Sequence, residues 1–231
     1  MKKQIHLFII PDLMIRDFHI FEGIKSNMYK LLYYREGLKM TKKLAKWISI
    51  ITVVPFIGLF VLTSLYFYSS NVYNNNIFWY LFSLVFLTFI PLLAYPLKNV
   101  IPKYKDKGRS GERRLAFILA VVGYVSGNIF SFVFDAPEGV KTVFVAYLFS
   151  GIILSFVNAV IGHKASGHAA GVSGPFTLLL YFISFRYWYI YLILPIVFWS
   201  RLKLGRHKIG QLFSGTAIGI IATVLALFVH I

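Results

Sequence analysis

The sequence predicts an all-α fold: a polytopic transmembrane helical bundle with six or seven spans. Of its 231 residues, 58% are hydrophobic and the mean hydropathy is +0.72, more apolar surface than a soluble domain can bury. The apolar residues also fall into long runs, separated by short polar segments that are mostly basic. Because about 20 helical residues cross a bilayer core of about 30 Å, each run is a candidate span.

The first 43 residues mix basic and apolar side chains throughout, and we separate them from a transmembrane domain over residues 44–231. Apolar residues with interspersed lysines, as in residues 24–34, suit a helix that lies in the membrane interface. A poorly ordered basic tail, or a translation start at a later methionine, explains the same composition equally well. No chemistry is assigned to this segment.

The apolar runs then follow in order along the chain. A first span is predicted over residues 47–68, with a kink at Pro55, since proline removes a helix hydrogen bond. A polar turn over residues 69–75 leads to a second span over residues 78–97. The next segment, residues 98–114, holds seven basic residues and two glycines and predicts a loop.

The second half of the chain is predicted to contain spans over residues 115–134, 140–161 and 208–230, the first two joined by a turn at 135–139. Between them, residues 169–184 and 188–199 predict two short helices broken at Arg186. One long bent segment over 169–199 is the alternative and gives six spans. We adopt the hairpin, because it brings the polar segments on either side of it to the same membrane face.

Composition also limits the chemistry. The chain has no cysteine, which excludes disulfides, thiolate metal sites and a cysteine nucleophile. Its net charge of +16 comes from basic residues between apolar runs, so anionic lipid headgroups or phosphate are expected as partners, rather than nucleic acid. No cluster of Asp and Glu suggests a metal site, and no metal or other cofactor is expected.

Two polar segments stand out among the apolar runs. Residues 163–168, His-Lys-Ala-Ser-Gly-His, precede an apolar helix, and the free N–H groups and dipole at a helix start favour an anion. The second segment contains Ser200, Arg201 and, after five residues, His207. Together with the basic segment 98–114, they form a set of basic, hydroxyl and imidazole groups that can act on phosphate.

These segments resemble the motifs of the type 2 phosphatidic acid phosphatases, relatives of the vanadium haloperoxidases. That family has K-x6-R-P, P-S-G-H and S-R-x5-H-x3-D. Here Ala165-Ser166-Gly167-His168 corresponds to the second motif and Ser200-Arg201-x5-His207-x3-Gln211 to the third. Lys107-x6-Arg114 has the spacing of the first, followed by Leu115 instead of Pro. The resemblance extends from about residue 103 to the end of the chain.

The resemblance implies a mechanism without metal. His207 would attack phosphorus and become phosphohistidine, and His168 would protonate the leaving group and then activate water. The remaining groups would hold the phosphate oxygens: Lys107, Arg114, Arg201, the Ser166 hydroxyl and the Gly167 N–H. Arg113, or the pair Lys105 and Arg109, could supply the first-motif cations instead, and Lys164 lies beside this set.

Gln211 departs from the family pattern. The family's aspartate accepts a hydrogen bond from the nucleophilic imidazole and stabilises its positive charge. Gln211 lies four residues after His207, on the same helix face, so its carbonyl can fix the tautomer without supplying the charge. The interpretation is therefore a slower phosphatase, or one in which another acidic group substitutes.

The function expected from this resemblance is hydrolysis of a lipid phosphate or diphosphate, with a polyprenyl tail favoured over a glycerophospholipid. A degenerate or transporter-like protein that binds lipid or phosphate without turnover is the alternative. All but two of the 24 basic residues, Lys141 and Arg186, lie on one predicted face. The positive-inside rule then places the active site on the cytoplasmic face of the cell membrane. By the same rule, Lys203 and Arg206 are interpreted as topological.

Overall fold

The computed structural model describes residues 39–229, and this part of the chain is helical without strands. The α-helices, in chain order, are α1 (Lys39–Ile51), α2 (Val54–Tyr68), α3 (Ser70–Tyr73), α4 (Ile77–Leu92), α5 (Ala94–Val100), α6 (Pro102–Lys105), α7 (Gly108–Val133), α8 (Glu138–Ala159), α9 (Gly167–Phe182), α10 (Ile193–Lys203) and α11 (Ile209–Val229). A 3-10 segment, Phe185–Leu192, joins α9 to α10.

The chain divides into two units, residues 1–44 and 45–231. In the first unit only residues 39–44 are described, and they belong to the start of α1. The proposed interfacial helix in the amino-terminal 43 residues therefore lies almost entirely outside the described residues. The contacts discussed below are all within residues 45–229.

Within the described residues 39–229, three helices are long and apolar enough to cross a membrane: α7, α8 and α11. The pair α1 and α2, bent by 51°, and the pair α4 and α5, bent by 40°, bring the number to five if each pair is one span. Six or seven spans are not confirmed. The physical reason is length, since α9 has 16 residues and α10 has 11, about 24 and 17 Å, against a core of about 30 Å.

The predicted kink at Pro55 is confirmed. Helix α1 ends at Ile51, four residues before Pro55, which lies in the first turn of α2. A proline ring clashes with the carbonyl four residues earlier and offers no N–H, so the break falls between these positions. In α4 the residues Val85–Phe89 form a π-helical segment just before Pro91.

Two sequence predictions are corrected by the structure. Residues 98–114 are not one loop, because α6 lies within them and α7 already begins at Gly108. Hydropathy marks only where a helix becomes apolar, and the basic first turns of α7 are helical although polar. In the hairpin, the break lies after Phe182 and residues 185–192 are 3-10, so the second α-helix begins at Ile193 instead of 188.

Helix α9 is central to the bundle and packs against α2, α8, α10 and α11. It is apolar around most of its circumference, as expected of a helix enclosed by others. Its closest neighbour is α11, where a Cβ on Gly219 would overlap Ser173 Oγ and lie 2.5 Å from Ala170 O. The glycines of residues 210–219 therefore serve close packing at Gly215 and Gly219, which brings the two polar segments together.

Candidate phosphate site

The start of α9 and the start of α11 are joined directly through backbone. The Ser166 N–H donates to Gln211 O at 2.8 Å, and a Cβ on Gly215 would overlap Ser166 O. Ser166 is fully buried and its hydroxyl caps α9 by accepting from the Ala169 N–H at 3.4 Å. The second and third motif-like segments therefore meet at one end of the bundle.

Two arginines of the α10–α11 segment converge on one hydroxyl of α1. Arg201 Nη1 donates to Ser49 Oγ at 2.7 Å, and Arg206 Nη1 donates to the same oxygen. The neighbouring Ser200 hydroxyl donates to Ala45 O at 2.7 Å, which anchors α10 against α1. Arg201 is only 4% exposed, and Ser49 is equally buried.

In the part of the chain that the structure describes, these guanidinium groups have no carboxylate partner. No ion pair among residues 39–229 involves Arg201 or Arg206, and the Nε atoms of both are buried without a hydrogen-bond acceptor. The charge of Glu112 raises the pKa of Arg206, but this carboxylate forms its ion pair with Lys98, at 3.1 Å. Burial and neighbouring cations lower the pKa of Arg201 to about 9 and that of Arg206 to about 10, so both remain charged at neutral pH.

His207 follows these arginines and contacts Gln211 as predicted, but the two do not share a helix face, because α11 begins at Ile209 and His207 precedes it. Its Nδ1 lies 3.3 Å from Gln211 Oε1, which also accepts from the Lys208 N–H at 3.1 Å. An amide oxygen can only accept, so this hydrogen bond requires the proton on Nδ1 and leaves the Nε2 lone pair free. Burial, followed by the charge of Arg201, lowers the pKa of His207 to about 4, so the imidazole is neutral at pH 7.

His168 lies in the first turn of α9, near the same charges. Burial of its imidazole, followed by the charge of Arg201, lowers its pKa to about 3, whereas a hydrogen bond with the backbone of Ser49 acts in the opposite direction. Interactions with Arg206 and His207 also lower the pKa of His168. The two predicted catalytic histidines are thus within electrostatic reach of each other and of Arg201.

The basic segment contributes through the first turns of α7. The charges of Arg109 and Arg113 lower the pKa of Arg201 and of Arg206, and the charge of Arg113 also lowers the pKa of His207. Arg109 and Arg113 are four residues apart and share a helix face. We call Arg109, Arg113, Arg201 and Arg206 the basic cluster.

The other predicted phosphate ligands lie around the basic cluster. Lys107 and Arg114 have the family spacing, but both are exposed, and no described contact joins them to the cluster. Lys164 is exposed, and its charge acts on His207. Gly167 begins α9, where its N–H is one of the groups that a helix start leaves free. Their roles as phosphate ligands stay predictions.

Sequence reasoning missed two residues of the site. Arg206 was assigned to membrane topology, although it lies beside His207 within the third segment, and this adjacency was the available signal. Ser49 lies in an apolar run before all the motifs, and nothing in the sequence distinguishes it from the other serines of the spans. Only the packing of α1 against α10 brings it to the arginines.

No group of three or more His, Asp or Glu that could hold a metal ion is found among residues 39–229. Comparisons of the chain with protein-family models, with curated proteins and with solved structures found no match.

Proposed function

We propose that the chain is an integral membrane phosphatase that hydrolyses a lipid phosphate or diphosphate through a phosphohistidine intermediate. The observation that carries this proposal is the pair of buried Arg201 and half-buried Arg206, which lie near two histidines and have no carboxylate partner among residues 39–229. Uncompensated buried charge is costly, and a bound anion removes that cost. The motif resemblance supports the same site independently of the geometry.

The chemistry follows from the protonation states. Neutral His207, with Nδ1–H directed at Gln211, presents the Nε2 lone pair to phosphorus. The guanidinium groups neutralise the non-bridging oxygens as charge develops. His168 must donate a proton to the leaving oxygen, and its low pKa in the free protein disfavours this. A phosphate dianion between the imidazole and the arginines would raise that pKa, so substrate binding itself prepares the acid.

A lipid substrate is favoured because the described helices carry many exposed large apolar side chains, along α2, α7 and α11 for example. A polyprenyl (di)phosphate is the preferred candidate, and a glycerophospholipid phosphate the next. In this proposal residues 169–199 form the short hairpin within the membrane, with His168 and Arg201 just outside it, so that the seven-span arrangement applies. Membrane lipids are then the only other partners required.

The active site is proposed to face the cytoplasm. Helix α7, about 39 Å long, separates the basic cluster at its start from Asp135 and Glu138, which pair with Lys141 after its end. Basic residues in short connections concentrate on the cytoplasmic side. Lipid precursors made inside the cell would therefore have direct access to the site.

A binding protein without turnover is the second candidate, and Gln211 is the observation that favours it. Its neutral amide replaces the carboxylate that the family resemblance predicts beside the nucleophile, so the imidazolium formed on attack is less stabilised. Such a protein would hold a phosphate-bearing lipid at the basic cluster and release it unchanged.

Phosphate release by the purified protein in detergent separates these candidates. The protein should be supplied with a polyprenyl diphosphate, a polyprenyl phosphate and a phosphatidic acid, and His207→Ala serves as the matched inactive variant. The phosphatase proposal predicts release that the substitution abolishes. Substrate binding without release by the unsubstituted protein would favour the second candidate.

A further inference from the structure

We infer that Ser49, which lies outside all three motif-like segments, is a positioning residue that holds Arg201 and Arg206 side by side for one anion. The inference rests on the proposed function, since it concerns the same site. Ser49 Oγ accepts from Nη1 of both arginines, and this hydroxyl is the shared acceptor that the described contacts provide for the two groups.

A serine hydroxyl can accept from two donors at once. Its oxygen has two lone pairs, and both are used here, one by each guanidinium. Two like charges repel, and without a shared acceptor each long side chain would turn toward water or another carbonyl. The hydroxyl therefore sets the separation and orientation of the two groups before any ligand binds.

The guanidinium nitrogens without an acceptor indicate which kind of ligand Arg201 and Arg206 can bind. Each guanidinium uses one Nη on Ser49, and the Nε atoms of Arg201 and Arg206 are buried without an acceptor. An anion with several oxygens satisfies both at once, whereas a single water cannot neutralise the charge. Ser49 also meets His168 through its backbone, so one turn of α1 orients both arginines and the proposed acid.

The test is a titration of the purified protein with inorganic phosphate, read as the rise in thermal unfolding temperature, alongside phosphate release from the lipid substrates. Ser49→Ala removes one hydroxyl, and we expect about tenfold weaker phosphate binding, the scale of a hydrogen bond to a charged group. Ser64→Ala is the matched control, because Ser64 Oγ donates only to Phe60 O of its own helix, at 2.8 Å. We expect it to bind phosphate like the unsubstituted protein.

A double substitution distinguishes positioning from an independent contact. If Ser49 acts through the arginines, Ser49→Ala should weaken phosphate binding little further in an Arg206→Met background. Multiplicative losses would overturn the positioning role, as would unchanged binding by Ser49→Ala alone. Absence of any phosphate-dependent stabilisation of the unsubstituted protein would overturn the anion site itself. Phosphate binding that depends on Ser49, without turnover, would refute only the proposed phosphatase.

Discussion

Replacing Gln211 by Leu should slow phosphate release strongly without unfolding the protein. The Gln211 side-chain oxygen is the acceptor for His207 Nδ1 at 3.3 Å and for the Lys208 N–H at 3.1 Å. The first contact is long for the resting protein and should tighten when His207 gains positive charge. Losing a hydrogen bond to a charged group costs about 1–3 kcal/mol, which corresponds to roughly 5- to 150-fold in kcat.

The matched substitution is Gln211→Glu, which keeps the length of the side chain and adds the missing charge. It should retain or raise kcat, because a carboxylate stabilises the imidazolium better than an amide does. Ser214→Ala is the control: it removes the hydrogen bonds of the Ser214 hydroxyl with His163 Nε2 at 2.8 Å and with Gln211 O at 3.2 Å, leaves the Gln211 side chain in place, and should leave the rate unchanged.

The assay is phosphate release in detergent under saturating substrate, with the unfolding temperature of each variant measured in parallel. A Leu variant that remains within twofold of the unsubstituted rate would refute this reasoning. It would mean that the amide does not act on His207 during turnover, and the third motif would lose most of its support.

Three further predictions concern stability and orientation. Because the pKa of His168 is lowered from 6.5 to about 3, the unfolded chain binds a proton at this imidazole more readily than the folded chain does. The contribution of His168 to stability is therefore full above pH 6.5 and declines as the pH falls toward 3. His168→Asn should give a shallower decline of the unfolding temperature with falling pH, and an unchanged slope would contradict the lowered pKa. Gly219→Ala should destabilise the protein by about 2 kcal/mol through overpacking, whereas Gly210→Ala, with nothing within 4 Å, should not, as thermal unfolding of the two variants will show. In intact cells, a membrane-impermeant thiol reagent should label a cysteine introduced at Asn74 but not one at Ser110, and the reverse pattern would overturn the cytoplasmic orientation.

The sequence was sufficient for local features whose cause is local. Pro55 predicts its kink because the missing N–H and the ring clash act within one helical turn. The contact between His207 and Gln211 was predicted from a shared helix face, but α11 begins at Ile209, so the Gln211 side chain instead reaches back to His207 from the first turn of α11. The close approach of α9 to α11 depends on small residues, and Gly215 and Gly219 are the positions that permit it.

Features that depend on packing between distant segments could not be predicted. Ser49 and Arg201 are 152 residues apart along the chain, and Ser49 becomes part of the site only because α1 packs against α10. The orientation of the α7 side chains decides that Arg113 acts on His207, although Lys107 and Arg114 have the better spacing. The start of α7 was misplaced because charge limits membrane burial but does not end a helix.

The most direct test of the account is whether phosphate becomes attached to His207 during turnover. The purified protein would be mixed with substrate carrying labelled phosphorus and denatured in alkali within one turnover, since phosphohistidine survives alkali better than acid. Label is expected on the peptide that contains His207 in the unsubstituted protein, and none is expected in His207→Ala. Labelled phosphate released at the unsubstituted rate by His207→Ala would contradict the proposed mechanism.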